Sequence, residues 1–162
     1  MLESEALTHT RLDDGSFCLE AVCVLPRPIH EVFEFFQDAH NLEALTPPFL
    51  KFKVLTPHPI KMATGTLIDY RLRLHGIPIR WRTQILEWDP PHGFVDDQIK
   101  GPYRQWHHTH SFVETDEGTL CKDRVLYRVP GGALIQKWFV GPDVEKIFHY
   151  RHQRLAELMT QA

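Results

Sequence analysis

The sequence predicts an α+β domain in which a curved, seven-stranded antiparallel sheet wraps around one long C-terminal helix, with two short helices after the first strand. Three observations carry this. The apolar residues recur with a period of two from residue 49 to residue 129, two short helical patterns precede that stretch, and an apolar stripe at helical spacing runs from Gly132 to the C-terminus.

The elements follow in order. Phe17 to Leu25 is rich in Val, Leu, Cys and Phe and is closed by Pro26, which reads as a strand. Ile29, Val32, Phe33 and Phe36 then fall at helical spacing, with Pro28 where a first turn tolerates it. A second short helix, Ala39 to Leu45, stops at Thr46-Pro47-Pro48, because consecutive prolines cannot continue it. Strands are expected at Phe49–Leu55, Thr66–Leu74, Ile77–Trp88, Phe94–Ile99, Tyr103–Val113 and Thr119–Val129, separated by Gly and Pro turns. Ile68, Tyr70 and Leu72 face one side of their strand and Asp69, Arg71 and Arg73 the other, so the sheet is apolar on one face and solvated on the other. Arg71, Arg73, Arg80 and Arg82 belong to that solvated face. In the last segment Leu134, Trp138, Val144, Ile147, Phe148, Leu155 and Leu158 form the stripe, and Gly141-Pro142 predicts a kink or break. Residues 1–15 are expected to be an N-terminal tail and residues 16–162 the single domain.

Composition excludes several function classes. The chain has 162 residues, about one domain, with 43% hydrophobic and 24% charged residues, a globular balance. A formal charge of −3 argues against a nucleic-acid binder that works through an overall cationic field. No apolar run approaches the length of a membrane span, and the acidic start lacks the apolar region of a signal peptide, so no integral membrane association and a cytoplasmic location are expected. Cys18, Cys23 and Cys121 show no C-x-x-C spacing and read as reduced core thiols.

Eleven histidines are present, and they crowd between Trp106 and His110. Strand alternation puts Trp106, His108, His110 and Phe112 on one face, and Cys121, Asp123, Val125 and Tyr127 on one face of the next strand. If the two faces are shared, Asp123 lies near His108 or His110, with Gln98 and Asp96 supplied by the preceding strand. Four uses are open: satisfaction of a buried carboxylate, the polar end of a ligand cavity, a metal site from His108, His110 and Asp123, and proton transfer by the same three residues. No fourth ligand is evident, so no metal is expected. Arg151, in the terminal helix, is expected to pair with a carboxylate at the seam between helix and sheet.

These residues carry a family resemblance. The runs are Pro28-x-x-x-Val32-Phe33-x-Phe35-Phe36-x-Asp38-x-x-Asn41-Leu42-x-x-Leu45-Thr46-Pro47-Pro48 and Phe94-Val95-Asp96-x-Gln98-x-x-Gly101-Pro102-Tyr103-x-x-Trp106-x-His108-x-His110-x-Phe112. Two more follow, Asp123-x-Val125-x-Tyr127-x-x-Pro130-x-Gly132 and Ile147-Phe148-x-Tyr150-Arg151. From Phe17 to Leu158 the chain resembles the START-like helix-grip (SRPBCC) superfamily, and within it the bacterial polyketide cyclase/dehydrase-like subgroup. The resemblance implies a cavity between sheet and helix that binds a hydrophobic small molecule, a lipid, polyketide or aromatic compound. Its lining would include Trp106, His108, His110, Phe112, Asp123, Tyr127, Gln98, Tyr70, Trp81 and Phe36. The alternative it implies is a cyclase or dehydratase-like enzyme using His108, His110 and Asp123. Some members precede a nucleotide-sugar epimerase-like domain; because this chain ends after the helix, no cofactor is expected. A homodimer is left open.

Overall fold

The computed structural model describes residues 6–161. One antiparallel sheet carries eight strands: β1 (Ala6–Arg11), β2 (Phe17–Leu25), β3 (Lys53–Val54), β4 (Leu67–Leu74), β5 (Ile77–Asp89), β6 (Gly93–Lys100), β7 (Gln105–Thr115) and β8 (Gly118–Arg128). Their order across the sheet is β1-β2-β8-β7-β6-β5-β4-β3. Helix α1 (Ile29–Gln37) and two 3₁₀ turns, Ala39–Glu43 and Pro48–Leu50, lie between β2 and β3. The chain closes with α2 (Gly132–Ile135), a π-helical turn (Gln136–Val140) and the long helix α3 (Gly141–Thr160).

Three expectations need correction. The strand count is eight rather than seven, because Ala6–Arg11, assigned from the sequence to a tail, pairs with β2 from Ala6 opposite Val22 to Arg11 opposite Phe17. Its inward face has only Leu7 and His9, both half-buried, too little apolar periodicity to read as a strand. Residues 1–5 of that expected tail lie outside the described residues. The strand expected at Phe49–Leu55 shrinks to Lys53–Val54, because Pro48–Leu50 turns as a 3₁₀ helix and Lys51 caps it in the left-handed region at φ 45°. The apolar stripe of the last segment is not continuous. Val144, Phe148 and Leu155 are buried, whereas Leu134 and Trp138 are exposed. The break at Gly141-Pro142 is present, since Pro142 has no N–H to continue the ladder and the preceding turn widens to π geometry.

The other elements form where the pattern places them. Ile29, Val32, Phe33 and Phe36 form the buried face of α1 and join Leu25, Phe94, Phe112, Leu155 and Met159 in one core cluster. A second cluster gathers Leu19, Val125, Tyr127, Trp106, Val144 and Phe148 between the sheet and the first turns of α3. A third, of Ala39, Val54, Ile68, Tyr70 and Ile85, lies under the 3₁₀ turn Ala39–Glu43. Fully burying a side chain of the Val, Leu or Phe class stabilises by about 1.5–3 kcal/mol, and Val144, Phe148 and Leu155 anchor α3 against the sheet in this way. Register shifts between Arg82 and Thr83 and between Ile85 and Glu87 interrupt the β5–β6 pairing. Such bulges bend and twist a sheet, and this one curls its β3–β5 side around the helix. Arg71, Arg73, Arg80 and Arg82 are exposed on the convex face, where Arg82 pairs with Asp69. Cys18, Cys23 and Cys121 are buried thiols. Among the described residues no helix is long and apolar enough to cross a membrane.

The β7–β8 hairpin closes at Gly118, whose φ of +133° and position against β2 exclude a side chain: a Cβ there would meet the Leu25 carbonyl oxygen at 2.1 Å. Gly76, at φ +81°, has open space around it. Gly118→Ala is therefore expected to lose more stability than Gly76→Ala, which bears only the backbone term of about 1–2 kcal/mol; urea denaturation of the two variants beside the parent measures the difference.

Candidate functional site

A partly open cavity of about 170 Å³ lies between the concave face of β4–β7 and α3. Its walls are mostly apolar: Ile68, Tyr70 and Leu72 from β4, Trp81 and Ile85 from β5, Trp106 from β7 and Ile147 and Phe148 from α3. Leu42 and Leu45 of the 3₁₀ region, with Phe52 and Met62 from the loops around β3, complete it. One wall is polar, made by Asp96, His108, His110 and Arg151.

That wall is the exposed edge of a buried ion network assembled by strand register. Asp96 stands opposite His108 across β6–β7, and His110 stands opposite Asp123 across β7–β8. The shortest hydrogen bonds run diagonally instead. His110 Nε2 donates to Asp96 Oδ2 at 2.6 Å, and His108 Nε2 donates to Asp123 Oδ1 at 2.7 Å. Diagonal neighbours on one face of a sheet are within reach of a long side chain, and the crossing links three strands through two carboxylates. His110 is held flat between rings, 4.0 Å from Phe94 and 3.7 Å from His108 between centroids. From α3, Arg151 brings Nη2 to 3.4 Å from Asp123 Oδ1, with its guanidinium 5.4 Å from the Phe36 ring centre. His152 Nε2 lies 3.9 Å from Asp123 Oδ2.

The electrostatics follow from these contacts. Burial pushes the Asp123 carboxyl upward, but Arg151 and the hydrogen bonds from His108 and His110 outweigh it and hold the group well below the usual carboxylate range. Asp96 is likewise lowered, burial being outweighed by His110 and the neighbouring cations. The two imidazoles part company. Burial and the adjacent His110 lower His108 and keep it neutral, whereas the bonds to Asp123 and Asp96 overcome burial at His110 and raise it. His108 therefore carries its proton on Nε2, and Nδ1 has a lone pair.

Of the ten residues expected at a ligand site, Phe36, Tyr70, Trp81, Trp106, His108 and His110 line the cavity. The other four are set back from it. Asp123 is behind the histidines, bonded to them and to Arg151. Phe112 belongs to the core cluster around Phe33. Gln98 clamps a turn, its Nε2 donating to the Tyr103 carbonyl and its Oε1 accepting the Tyr103 N–H. Tyr127 directs its hydroxyl to Gln136 and His9 at the β1 end of the sheet. The pairing expected for Arg151 is present, and Arg151 also reaches the cavity. The sequence reading missed the apolar wall from Leu42, Leu45, Phe52 and Met62. Those residues lie in 3₁₀ turns and loops, where no periodicity reports a facing direction.

Asp96, His108 and His110 also place donor atoms within 4.8 Å of one another, as a metal site would. The fit is poor. Both His110 nitrogens face carboxylates, and the Arg151 guanidinium lies 3.4 Å from His110 Nδ1, so a dication would meet a fixed cation and displace short hydrogen bonds.

Removing the charge of Asp123 while keeping its shape tests the network. Breaking a buried ion pair costs about 3–5 kcal/mol, so Asp123→Asn is expected to lose that much in urea denaturation near pH 6. Because the carboxyl is lowered in the folded state, its contribution is complete above the unfolded value of about 3.9 and lost as pH falls through the folded one. The gap between parent and variant should then narrow as pH drops below about 4. His110, raised, contributes fully below about pH 6.5 and loses that contribution as pH rises through its folded value; His108, lowered, opposes it below about pH 6.5. A gap independent of pH would show that the charge of Asp123 is not what the network holds.

Comparison with known proteins agrees with this architecture. Residues 25–155 match the model of the family described as polyketide cyclase / dehydrase and lipid transport. A search of curated proteins finds no match. Among solved structures, protein Ms6760 from Mycobacterium smegmatis is 17% identical with a TM-score of 0.69, covering 96% of this chain and 98% of that one. Protein CV1439 from Chromobacterium violaceum is 16% identical with a TM-score of 0.70, covering 90% and 99%. Ara h 8.0201 is 14% identical with a TM-score of 0.68, covering 91% and 100%. At such identities the likeness is one of fold, the helix-grip arrangement of sheet and terminal helix. The family model spans most of the chain, through the 3₁₀ turns, the histidine strand and α3, and the chain belongs to the polyketide cyclase / dehydrase and lipid transport family.

Proposed function

We propose that this protein binds an apolar small molecule, a lipid, polyketide or aromatic compound, in the cavity between sheet and α3. The observation that carries the reading is the hollow itself. Protein interiors are close-packed, yet about 170 Å³ is left beside a mostly apolar wall with a few convergent polar groups at one end. That is the anatomy of a small-molecule pocket. An apolar cavity of about 150 Å³ takes up benzene, so the space here suits one ring or a short stretch of acyl chain. A larger ligand would extend beyond this space, because the cavity is partly open. A carbonyl, hydroxyl or carboxylate on the ligand would meet Arg151 and His108. The family description, which joins cyclases with lipid transport, supports an apolar ligand without selecting one.

One observation favours a second reading, catalysis by proton transfer in a cyclase or dehydratase-like reaction. His108 borders the cavity, is kept neutral, and donates Nε2–H to a carboxylate, an arrangement that orients an imidazole as a general base through Nδ1. His110 has both nitrogens directed at carboxylates and serves that reading only by holding Asp123 and Asp96 in place.

Native mass spectrometry of the purified protein is expected to reveal co-purified apolar material. Fatty acids or small aromatic compounds at about 100 times Kd should raise Tm by roughly 5–10 °C. Leu72→Trp, which fills the cavity from β4, should remove that shift and keep the far-UV spectrum; if the parent neither carries nor responds to apolar compounds, the binding reading falls. For the second reading, His108→Gln should abolish turnover of a bound compound while most of the thermal shift, which the apolar wall supplies, is kept.

A further inference from the structure

Outside the buried network, a second group of polar side chains gathers around Asp38, which borders the cavity. Asp38 precedes the 3₁₀ turn Ala39–Glu43 and caps it, its Oδ1 accepting the backbone N–H of His40 at 3.0 Å. The cap fixes the carboxylate and places the His40 side chain beside it. His58 reaches the same point from the loop between β3 and β4. Its Nδ1 lies 3.3 Å from His40 Nδ1 and 3.8 Å from Asp38 Oδ1, and His40 Nδ1 lies 3.6 Å from that same oxygen. The two imidazoles meet edge to face with centroids 5.0 Å apart.

Those three edges are informative. A tetrahedral ion with bonds of about 2.0–2.1 Å sets its donor atoms about 3.3–3.4 Å from one another. The triangle of Oδ1, Nδ1 and Nδ1 already has sides of 3.3, 3.6 and 3.8 Å, so ligation requires contraction of only a few tenths of an ångström. The two Nδ1 atoms face each other, although neutral imidazoles in that position can satisfy each other only if one holds a proton there and the other a lone pair. An ion between them uses both lone pairs and the carboxylate charge together. The group is also reachable: the side chains of His40, Asp38 and His58 are 28%, 40% and 60% exposed, which leaves the remaining coordination position to water. The guanidinium that spoils the geometrically similar set Asp96, His108 and His110 has no counterpart in the contacts of these three residues among the described residues.

We propose that Asp38, His40 and His58 bind one divalent transition-metal ion, with Zn²⁺ as the reference. Nitrogen donors from two imidazoles select against Mg²⁺ and Ca²⁺, which take oxygen, and favour Zn²⁺, Ni²⁺ or Cu²⁺. Asp38 also borders the cavity, so the ion would stand at its rim. The inference does not depend on what the cavity holds.

Isothermal titration of the full chain, stripped with chelator, with Zn²⁺ tests it. One equivalent is expected to bind, and His40→Ala and His58→Ala should each weaken that binding by more than the roughly 10-fold lower bound known for loss of an outer-shell partner. Asp38→Asn, which keeps the cap, should weaken it as well. Each variant should keep the parent's far-UV spectrum, and Zn²⁺ should raise the Tm of the parent but not of His58→Ala. Absence of binding in the parent, or binding that survives both histidine substitutions and so resides elsewhere among the eleven histidines, overturns the proposal.

Discussion

A single long helix has to cover the concave face of an eight-stranded sheet, and most of this structure answers that mismatch. Val144, Phe148 and Leu155 bury α3 completely at three points along its length. On the β2 and β8 side that is enough, because α1 adds Val32, Phe33 and Phe36 to the same core. On the β4 and β5 side the sheet curls past its bulges, and only 3₁₀ turns and loops remain to close it. They cover the edge without filling the middle. The cavity is thus a consequence of how much apolar surface the helices bring against how much the sheet presents.

The same geometry explains why charged groups stand at the back of an apolar space. Asp96 and Asp123 are taken out of water by the strands that carry them, and isolated carboxylates there would be very unfavourable. The strands also bring the remedy, His108 and His110 on β7, and α3 adds Arg151. The crossed pairing makes each carboxylate depend on a histidine that also faces the other strand, so β6, β7, β8 and α3 are tied at one point. The polar end of the cavity is held from all four of these elements, and its two imidazoles are shifted in opposite directions, His108 down by burial and the adjacent His110, and His110 up by its bonds to Asp123 and Asp96. A ligand with one oxygen-bearing end meets a preformed partner there, and its apolar remainder meets the side chains of β4 and β5.

Much of this was legible before any coordinates. Alternation placed Trp106, His108 and His110 on the inner face, and the same rule placed Asp123 within reach of them. It failed where the direction a side chain faces is not the direction it is used. Tyr127 points inward, yet it lies at the end of the sheet where His9 and Gln136 take its hydroxyl; Gln98 turns to the backbone of Tyr103. Strand β1 escaped notice because an edge strand with one apolar inward residue has almost no periodic signal. Leu134 and Trp138 fit the helical stripe of α3 in spacing, but Leu134 lies before the π-helical turn and Trp138 within it; the wider turn changes the phase relative to α3, and both are exposed.

The sequence alone determined α1, the strands from β4 to β8 and the terminal helix, the inner face of the central strands, and the family, because each rests on periodicity and short-range chemistry written along the chain. Only the tertiary structure decided which acid meets which histidine, how much space the helix leaves, and that His58 comes to stand beside Asp38 and His40. Those are distances between residues far apart in the chain, set by register, by bulges and by the path of loops, and no local pattern encodes a distance of that kind.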